Sequence, residues 1–235
     1  MPSRTRRTLQ YAPAIYPERV RAAAAGGADA VIVDLESTVP DDRKAEAREN
    51  LPALFERNDF GGKETVVRIN DLRSTEWLAD VEAAIDVGVD TLRLPKVEEP
   101  WQVRTAVETA RQLADPVPEF LLQLETPRGV ANGMEIATTC RELPMVTGIG
   151  IGMGDYTNAL GLSDHTPELR AYLLNRTAMY AQVGEMDALG FVHKELDTLR
   201  PIAEQARSLG HVGQPISYKV DAEPFVEILT DVYTD

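Results

Sequence analysis

The chain has 235 residues, of which 43% are hydrophobic and 26% are charged, and this composition excludes a disordered chain and a fibrous repeat. Its 38 acidic and 24 basic residues give a formal net charge of −14, so we expect no nucleic-acid partner. No apolar run is long enough to cross a membrane and residues 1–7 lead into no signal-peptide core, which predicts no membrane association and a cytoplasmic location.

Apolar runs bounded by turn residues predict eight strands, and helical patterns follow each of them. The predicted strands cover 8–14, 30–35, 65–69, 91–94, 119–124, 145–152, 189–193 and 211–217. The predicted helices cover 17–25, 43–57, 76–88, 100–114, 132–141, 167–188, 197–210 and 222–232. Strict alternation of strand and helix indicates a parallel sheet with helical crossovers, and eight units favour a closed (β/α)8 TIM barrel. We therefore predict one barrel domain over residues 1–235.

Polar side chains follow directly on five of the predicted strands. In a parallel barrel the carboxyl ends of the strands meet at one rim, where functional groups lie, so these side chains are expected to converge. The set comprises Asp34, Glu36, Arg68, Asn70, Lys96, Glu125 and Asp155.

Two of these residues, Glu125 and Asp155, follow adjacent strands and carry oxygen donors suited to one hard divalent ion. Mg²⁺ typically takes one or two protein carboxylates and leaves positions for water and substrate oxygens. The three histidines show no spacing typical of a zinc site. The sequence therefore predicts Mg²⁺ at Glu125 and Asp155.

Two arginines are candidates for binding the anionic oxygens of a substrate, because a guanidinium group stays charged and can donate two hydrogen bonds to one carboxylate. Arg68 ends a strand, whereas Arg128 follows Pro127 in a loop and is equally explained as a solvated arginine. Between residues 148 and 154 glycine occupies every second position, which leaves one face of a strand without side chains. This pattern matches neither a dinucleotide-binding nor a P-loop motif.

Six ordered motifs resemble the citrate lyase β-subunit-like branch of the HpcH/HpaI aldolase family. They cover most of the chain, and their order makes the resemblance more specific than any one of them. The motifs are RRTL (6–9), GADAVIVDLE (27–36), VRIN (67–70), LPK (94–96), LETPRGV (124–130) and GMGD (152–155) with Leu160-Gly161.

The resemblance implies a barrel of the phosphoenolpyruvate/pyruvate-domain type that assembles into a homo-oligomer, as a trimer or hexamer. It implies Mg²⁺ bound by Glu125 and Asp155. It also implies a catalytic group and a substrate-binding group at the same rim. The catalytic group comprises Arg68, Glu36 and Asp34. The substrate-binding group comprises Arg68, Lys96, Gly154 and Arg128.

The resemblance implies a Mg²⁺-dependent reaction of a malyl-, citramalyl- or citryl-type 3-hydroxyacyl-CoA. This thioester is either cleaved into an acyl-CoA and a 2-oxo acid or formed from them. The chain departs from the family at Ser37, where an aspartate is usual, and over residues 213–220, where a histidine and a proline are missing. We also expect no extended C-terminal lid. These departures keep two alternatives open: an aldolase for free 4-hydroxy-2-oxo acids, and a lyase subunit that needs a partner.

Overall fold

The computed structural model describes residues 4–234, and the predicted ends at 1–3 and 235 lie outside the described residues. The strands are β1 (Thr8–Pro13), β2 (Ala30–Asp34), β3 (Glu64–Arg68), β4 (Thr91–Leu94), β5 (Glu119–Leu124), β6 (Val146–Ile151), β7 (Asp187–Leu189) and β8 (His211–Ile216). The helices are α1 (Pro17–Ala25), α2 (Lys44–Arg57), α3 (Trp77–Asp86), α4 (Pro100–Leu113), α5 (Pro127–Cys140), α6 (Met153–Ala159), α7 (Pro167–Gly184), α8 (Leu196–Ser208) and α9 (Ala222–Tyr233).

The eight strands form one closed barrel in chain order, and β8 pairs with β1 to complete it. Every neighbouring pair is parallel, which confirms the predicted (β/α)8 architecture. Residues 4–234 contain no helix that is both long and apolar enough to span a bilayer.

Three predicted elements differ from the structure. Helix α5 begins at Pro127, five residues earlier than predicted, because Thr126 caps it by accepting a hydrogen bond from the Gly129 amide. Helix α7 ends at Gly184 because Glu185 takes a left-handed conformation, so β7 forms at Asp187–Leu189 and not at 189–193. Helix α6 was not predicted at all.

The barrel interior changes from apolar to polar along the strands. Leu9, Val66 and Leu121 point inward and form one buried apolar layer with residues of other strands. Because a strand repeats every two residues, the next inward positions on β1, β3 and β5 form a layer nearer the carboxyl ends. Those positions are Tyr11, Arg68 and Gln123, so a polar layer lies directly above the apolar one.

Glycine makes room inside the barrel on β6, as the alternating pattern predicted. A Cβ at Gly148 would lie 2.5 Å from the Leu121 side chain, and one at Gly150 would lie 3.4 Å from the Arg93 guanidinium. Gly152 follows β6 and faces Glu125, whereas Gly154 lies in α6 with nothing within 4 Å of a built Cβ. The outward faces of the strands pack against the helices and form the main apolar core, which includes Cys140.

Candidate active site

A cavity of about 330 Å³ opens where the carboxyl ends of the strands meet. Its wall combines cationic, acidic and amide side chains with the backbone of the segment that follows β6. The residues that line the cavity include Tyr11, Ser37, Arg68, Arg93, Gln123, Gly152, Gly154, Asp155, Lys194 and Lys219.

Arg68 is held rigidly beside the cavity. Its guanidinium donates to both carboxylate oxygens of Asp34, from Nε at 2.6 Å and from Nη2 at 2.7 Å. Nη2 also donates to Ser37 Oγ at 2.6 Å, and the guanidinium lies over the Tyr11 ring, 4.7 Å from its centroid. Arg68 is therefore a fixed positive charge aimed at the space where a substrate would lie.

Asp34 acts on this site through Arg68, because its side chain is fully buried behind the arginine. It accepts hydrogen bonds from the backbone amides of Glu36 and Thr38, both at 3.0 Å. Burial alone would raise the pKa of Asp34, but the charge and hydrogen bonds of Arg68 lower it. Asp34 thus stays ionised and positions Arg68, and no cavity-lining surface belongs to it.

Glu36 and Lys96 form a second charged pair at the rim. Lys96 Nζ donates to Glu36 Oε1 at 2.5 Å, and Arg68 Nη1 lies 3.3 Å from Glu36 Oε2. Burial opposes the charge of Lys96, but the bond to Glu36 raises the pKa of the lysine. The negative charge of Glu36 is therefore balanced by two cations of the protein, Lys96 and Arg68.

The backbone of Lys96 positions the metal candidate Glu125. Lys96 has a φ of 49°, which is uncommon for a residue other than glycine, and its amide donates to Glu125 Oε1 at 2.9 Å. The other carboxylate oxygen, Oε2, accepts a hydrogen bond from Gln123 Nε2. Glu125 is fully buried, so these contacts fix its orientation.

Glu125 and Asp155 come close together, as predicted, near enough for the Asp155 carboxylate to act on the charge of Glu125. Burial raises the pKa of Glu125 to about 8; the Asp155 and Glu36 carboxylates add to this rise, whereas Arg68 opposes it. Gly152 makes the space for this arrangement, because a Cβ there would overlap the Glu125 carboxylate. The pair is an oxygen-donor site whose ionised form is disfavoured by burial and by the neighbouring carboxylates.

These observations fit a hard divalent cation such as Mg²⁺. A bound cation would offset the burial and the carboxylate repulsion that together raise the pKa of Glu125. Residues 4–234 contain no cluster of three or more His, Cys, Asp or Glu side chains arranged to hold a metal. Two carboxylates alone would leave the remaining positions of an octahedral ion to water and substrate, as Mg²⁺ commonly prefers.

The remaining predicted substrate-binding residues, Gly154 and Arg128, and the predicted rim residue Asn70 lie in different surroundings. Gly154 lines the cavity in the first turn of α6. Arg128 does not line it: the side chain is 67% exposed, and its Nε donates to Glu99 Oε1 at 2.8 Å. Asn70 bonds to the Leu35 carbonyl and to Asp80, so it stabilises the loop after β3.

The cavity residues that were missed from the sequence include Tyr11, Arg93 and Gln123. All three lie within strands, whereas the predicted site residues end a strand or follow one. Arg93 carried a usable signal, since an arginine within a four-residue buried strand must point either into the barrel or toward the helices.

Two curated proteins of related sequence are 30% and 32% identical to the aligned part of this chain. The citrate lyase β subunit of Leuconostoc mesenteroides is 32% identical over 160 residues, which are 66% of this chain and 52% of that protein. A (3S)-malyl-CoA thioesterase of Cereibacter sphaeroides is 30% identical over 231 residues, covering 92% of this chain and 74% of the relative. The chain thus spans about half the length of the first relative.

Solved structures of similar fold include protein CitE from Mycobacterium tuberculosis in complex with magnesium, acetoacetate and coenzyme A. That structure has a TM-score of 0.78 and 26% sequence identity, and it covers 97% of this chain and 81% of the other. The family model for HpcH/HpaI aldolase/citrate lyase matches residues 7–218. This chain therefore belongs to the HpcH/HpaI aldolase/citrate lyase family.

Proposed function

We propose that this protein is a Mg²⁺-dependent carbon–carbon lyase for a 3-hydroxyacyl-CoA of the malyl, citramalyl or citryl type. The products in the cleavage direction are an acyl-CoA and a 2-oxo acid. One observation carries the proposal: the buried Glu125 and the half-buried Asp155 lie near the fixed guanidinium of Arg68 at a cavity.

Arg68 supplies the charge that such a reaction requires. Cleavage leaves an enolate on the acyl thioester and turns a hydroxyl into a carbonyl, so negative charge develops on oxygen. A guanidinium already fixed by Asp34 and Ser37 stabilises that charge with little reorganisation. A Mg²⁺ ion bound by Glu125 and Asp155 would supply Lewis-acid polarisation of the substrate oxygen.

The charge around the cavity suits an anionic substrate. Lys194 and Lys219, two of the five lysines in a chain of net charge −14, line its wall. With Arg68 and Arg93 they place four cations around a space of about 330 Å³. This volume is near the lower end for small-molecule sites, so it suits the acid portion, with the coenzyme lying over the rim.

The test is mass spectrometry of the purified protein with malyl-, citramalyl-, β-methylmalyl- and citryl-CoA, each with Mg²⁺ and with EDTA. We expect a shorter acyl-CoA and a 2-oxo acid only in the Mg²⁺ samples. Glu125→Gln and Asp155→Asn should each lower turnover at least about 100-fold. Arg104→Gln is the matched surface control, because Arg104 pairs with Glu142 far along the exposed face of α4.

Other products would contradict the proposal in distinct ways. Free CoA with an intact 3-hydroxy acid would indicate thioester hydrolysis, the reaction named for the Cereibacter relative. Cleavage of a free 4-hydroxy-2-oxo acid without any thioester would favour the aldolase alternative. No reaction by folded protein, with activity appearing on addition of an acyl-carrier subunit, would favour the partner-dependent alternative.

A further inference from the structure

Arg93 is a buried cation with no anionic partner. It is 1% exposed and lines the cavity, and no Asp or Glu among residues 4–234 forms an ion pair with it. Its one hydrogen bond to a side chain runs from Nε to Gln123 Oε1 at 2.8 Å. Its Nη1 atom is buried and finds no acceptor in the protein.

The surroundings of Arg93 hold the guanidinium in place without neutralising it. Gln123 Oε1 also accepts from the Tyr11 hydroxyl at 3.2 Å, and the guanidinium lies 6.0 Å from the centre of the Tyr11 ring. The absent side chain of Gly150 leaves room for it, since a Cβ there would lie 3.4 Å from Nη2. The contact set is built from neutral groups only.

Arg93 differs from Arg68 in that no carboxylate pairs with its guanidinium. Arg68, on the neighbouring strand, is matched by the bidentate carboxylate of Asp34. Burying a charge without a counter-charge is costly, and protein arginines deep in a fold are normally paired. An unpaired guanidinium at a ligand cavity therefore indicates that the missing anion arrives with the ligand.

Gln123 connects this cation to the metal candidate. Its amide oxygen accepts from Arg93, while its amide nitrogen donates to Glu125. An acid held through a cation at Glu125 and Asp155 would therefore have the Arg93 guanidinium one side chain away, deeper in the barrel. A small acid with a second carboxylate has the charge to occupy both positions.

We propose that Arg93 binds a second carboxylate of the acid portion, so that the 2-oxo acid handled by this site is a dicarboxylate. The inference rests on the proposed function for the identity of the reaction, and it selects the citryl type over the malyl type. Arg93 is then a specificity-determining residue, distinct from Arg68.

The test is calorimetric binding of two stable probes, malate and lactate, in the presence of Mg²⁺. Malate carries a second carboxylate that lactate lacks. We expect wild-type protein to bind malate about 10- to 150-fold more tightly, the range for a hydrogen bond to a charged group. Arg93→Met should remove this preference and leave lactate affinity within about twofold, whereas Arg93→Lys should retain part of it.

A second measurement separates ligand binding from a structural role. Because the cation is uncompensated without ligand, the thermal midpoint of ligand-free Arg93→Met should equal or exceed that of the wild type. Arg93→Gln repeats both measurements if the methionine variant does not fold.

Three outcomes would overturn the proposal: equal affinity of the wild type for both probes, a malate preference that survives in the variant, or tight binding of inorganic phosphate with no preference for malate. No thioester enters this assay. A malate preference lost in Arg93→Met, together with a failed lyase assay, would therefore refute the proposed function alone.

Discussion

Gly152 and Gly154 are two nearby glycines for which the structure predicts opposite effects of adding one methyl group. A Cβ at Gly152 would overlap the Glu125 side chain and lie 2.9 Å from Gln123 Nε2, where ordinary contacts lie beyond 3.4 Å. Neither neighbour can withdraw easily, because both are buried and hydrogen-bonded. Overpacking of this kind costs about 1–3 kcal/mol, so Gly152→Ala should lower the free energy of unfolding by that amount.

Gly154→Ala is the matched control for stability, since nothing lies within 4 Å of its built Cβ and the residue is helical. Alanine has the better helix propensity, so this variant should be more stable than the wild type by about 0.5–1 kcal/mol. Urea denaturation measures both, and calorimetry measures Mg²⁺ affinity, which should fall in Gly152→Ala as Glu125 is displaced. Wild-type stability and Mg²⁺ affinity in Gly152→Ala would refute this reasoning.

Three further predictions concern charged and titratable groups. Asp34→Asn should destabilise the fold by about 3–5 kcal/mol in urea denaturation, because it leaves the buried Arg68 without its carboxylate; a loss below about 1 kcal/mol would contradict the assigned pairing. Burial lowers the pKa of His211 to about 4, so stability should be full above about pH 6.5 and fall by about 3 kcal/mol toward pH 4, a dependence that His211→Gln should reduce in pH-dependent denaturation. Arg128→Gln should change the free energy of unfolding by less than about 1 kcal/mol, since its pair with Glu99 is exposed; a larger change would show that the pair matters to the fold.

The sequence predicts the barrel well because the alternation of strand and helix is a strong and repeated signal. All eight strands form, and the predicted rim brings Glu36, Lys96, Glu125 and Asp155 together. Each follows a buried strand, and parallel strands carry such residues to one edge whatever the details of packing. Errors of a few residues at the strand ends therefore left the site intact.

Features that depend on local backbone geometry were not predictable in the same way. The seven-residue helix α6 follows an alternating glycine segment, and its sequence has too few turns to show a helical period. The end of α7 depends on the left-handed conformation of Glu185, a residue type that gives no such signal. Arg93 was missed for another reason: its direction depends on the two-residue period of β4, which four residues barely define.

The two ends of the barrel use buried charge in different ways. At the amino-terminal end, Arg6 is enclosed by carboxylates, with Glu64 at 2.7 Å, Glu119 at 2.6 Å and Asp187 at 3.4 Å. The carboxylates of the protein balance the positive charge of this guanidinium, as expected of an ion-pair cluster within the closed barrel. At the other end Arg93 has no carboxylate partner among residues 4–234, and the Glu125 and Asp155 carboxylates lie close together. The protein itself balances the charge of the first arrangement, whereas the second leaves the Arg93 guanidinium for the anionic ligand proposed above.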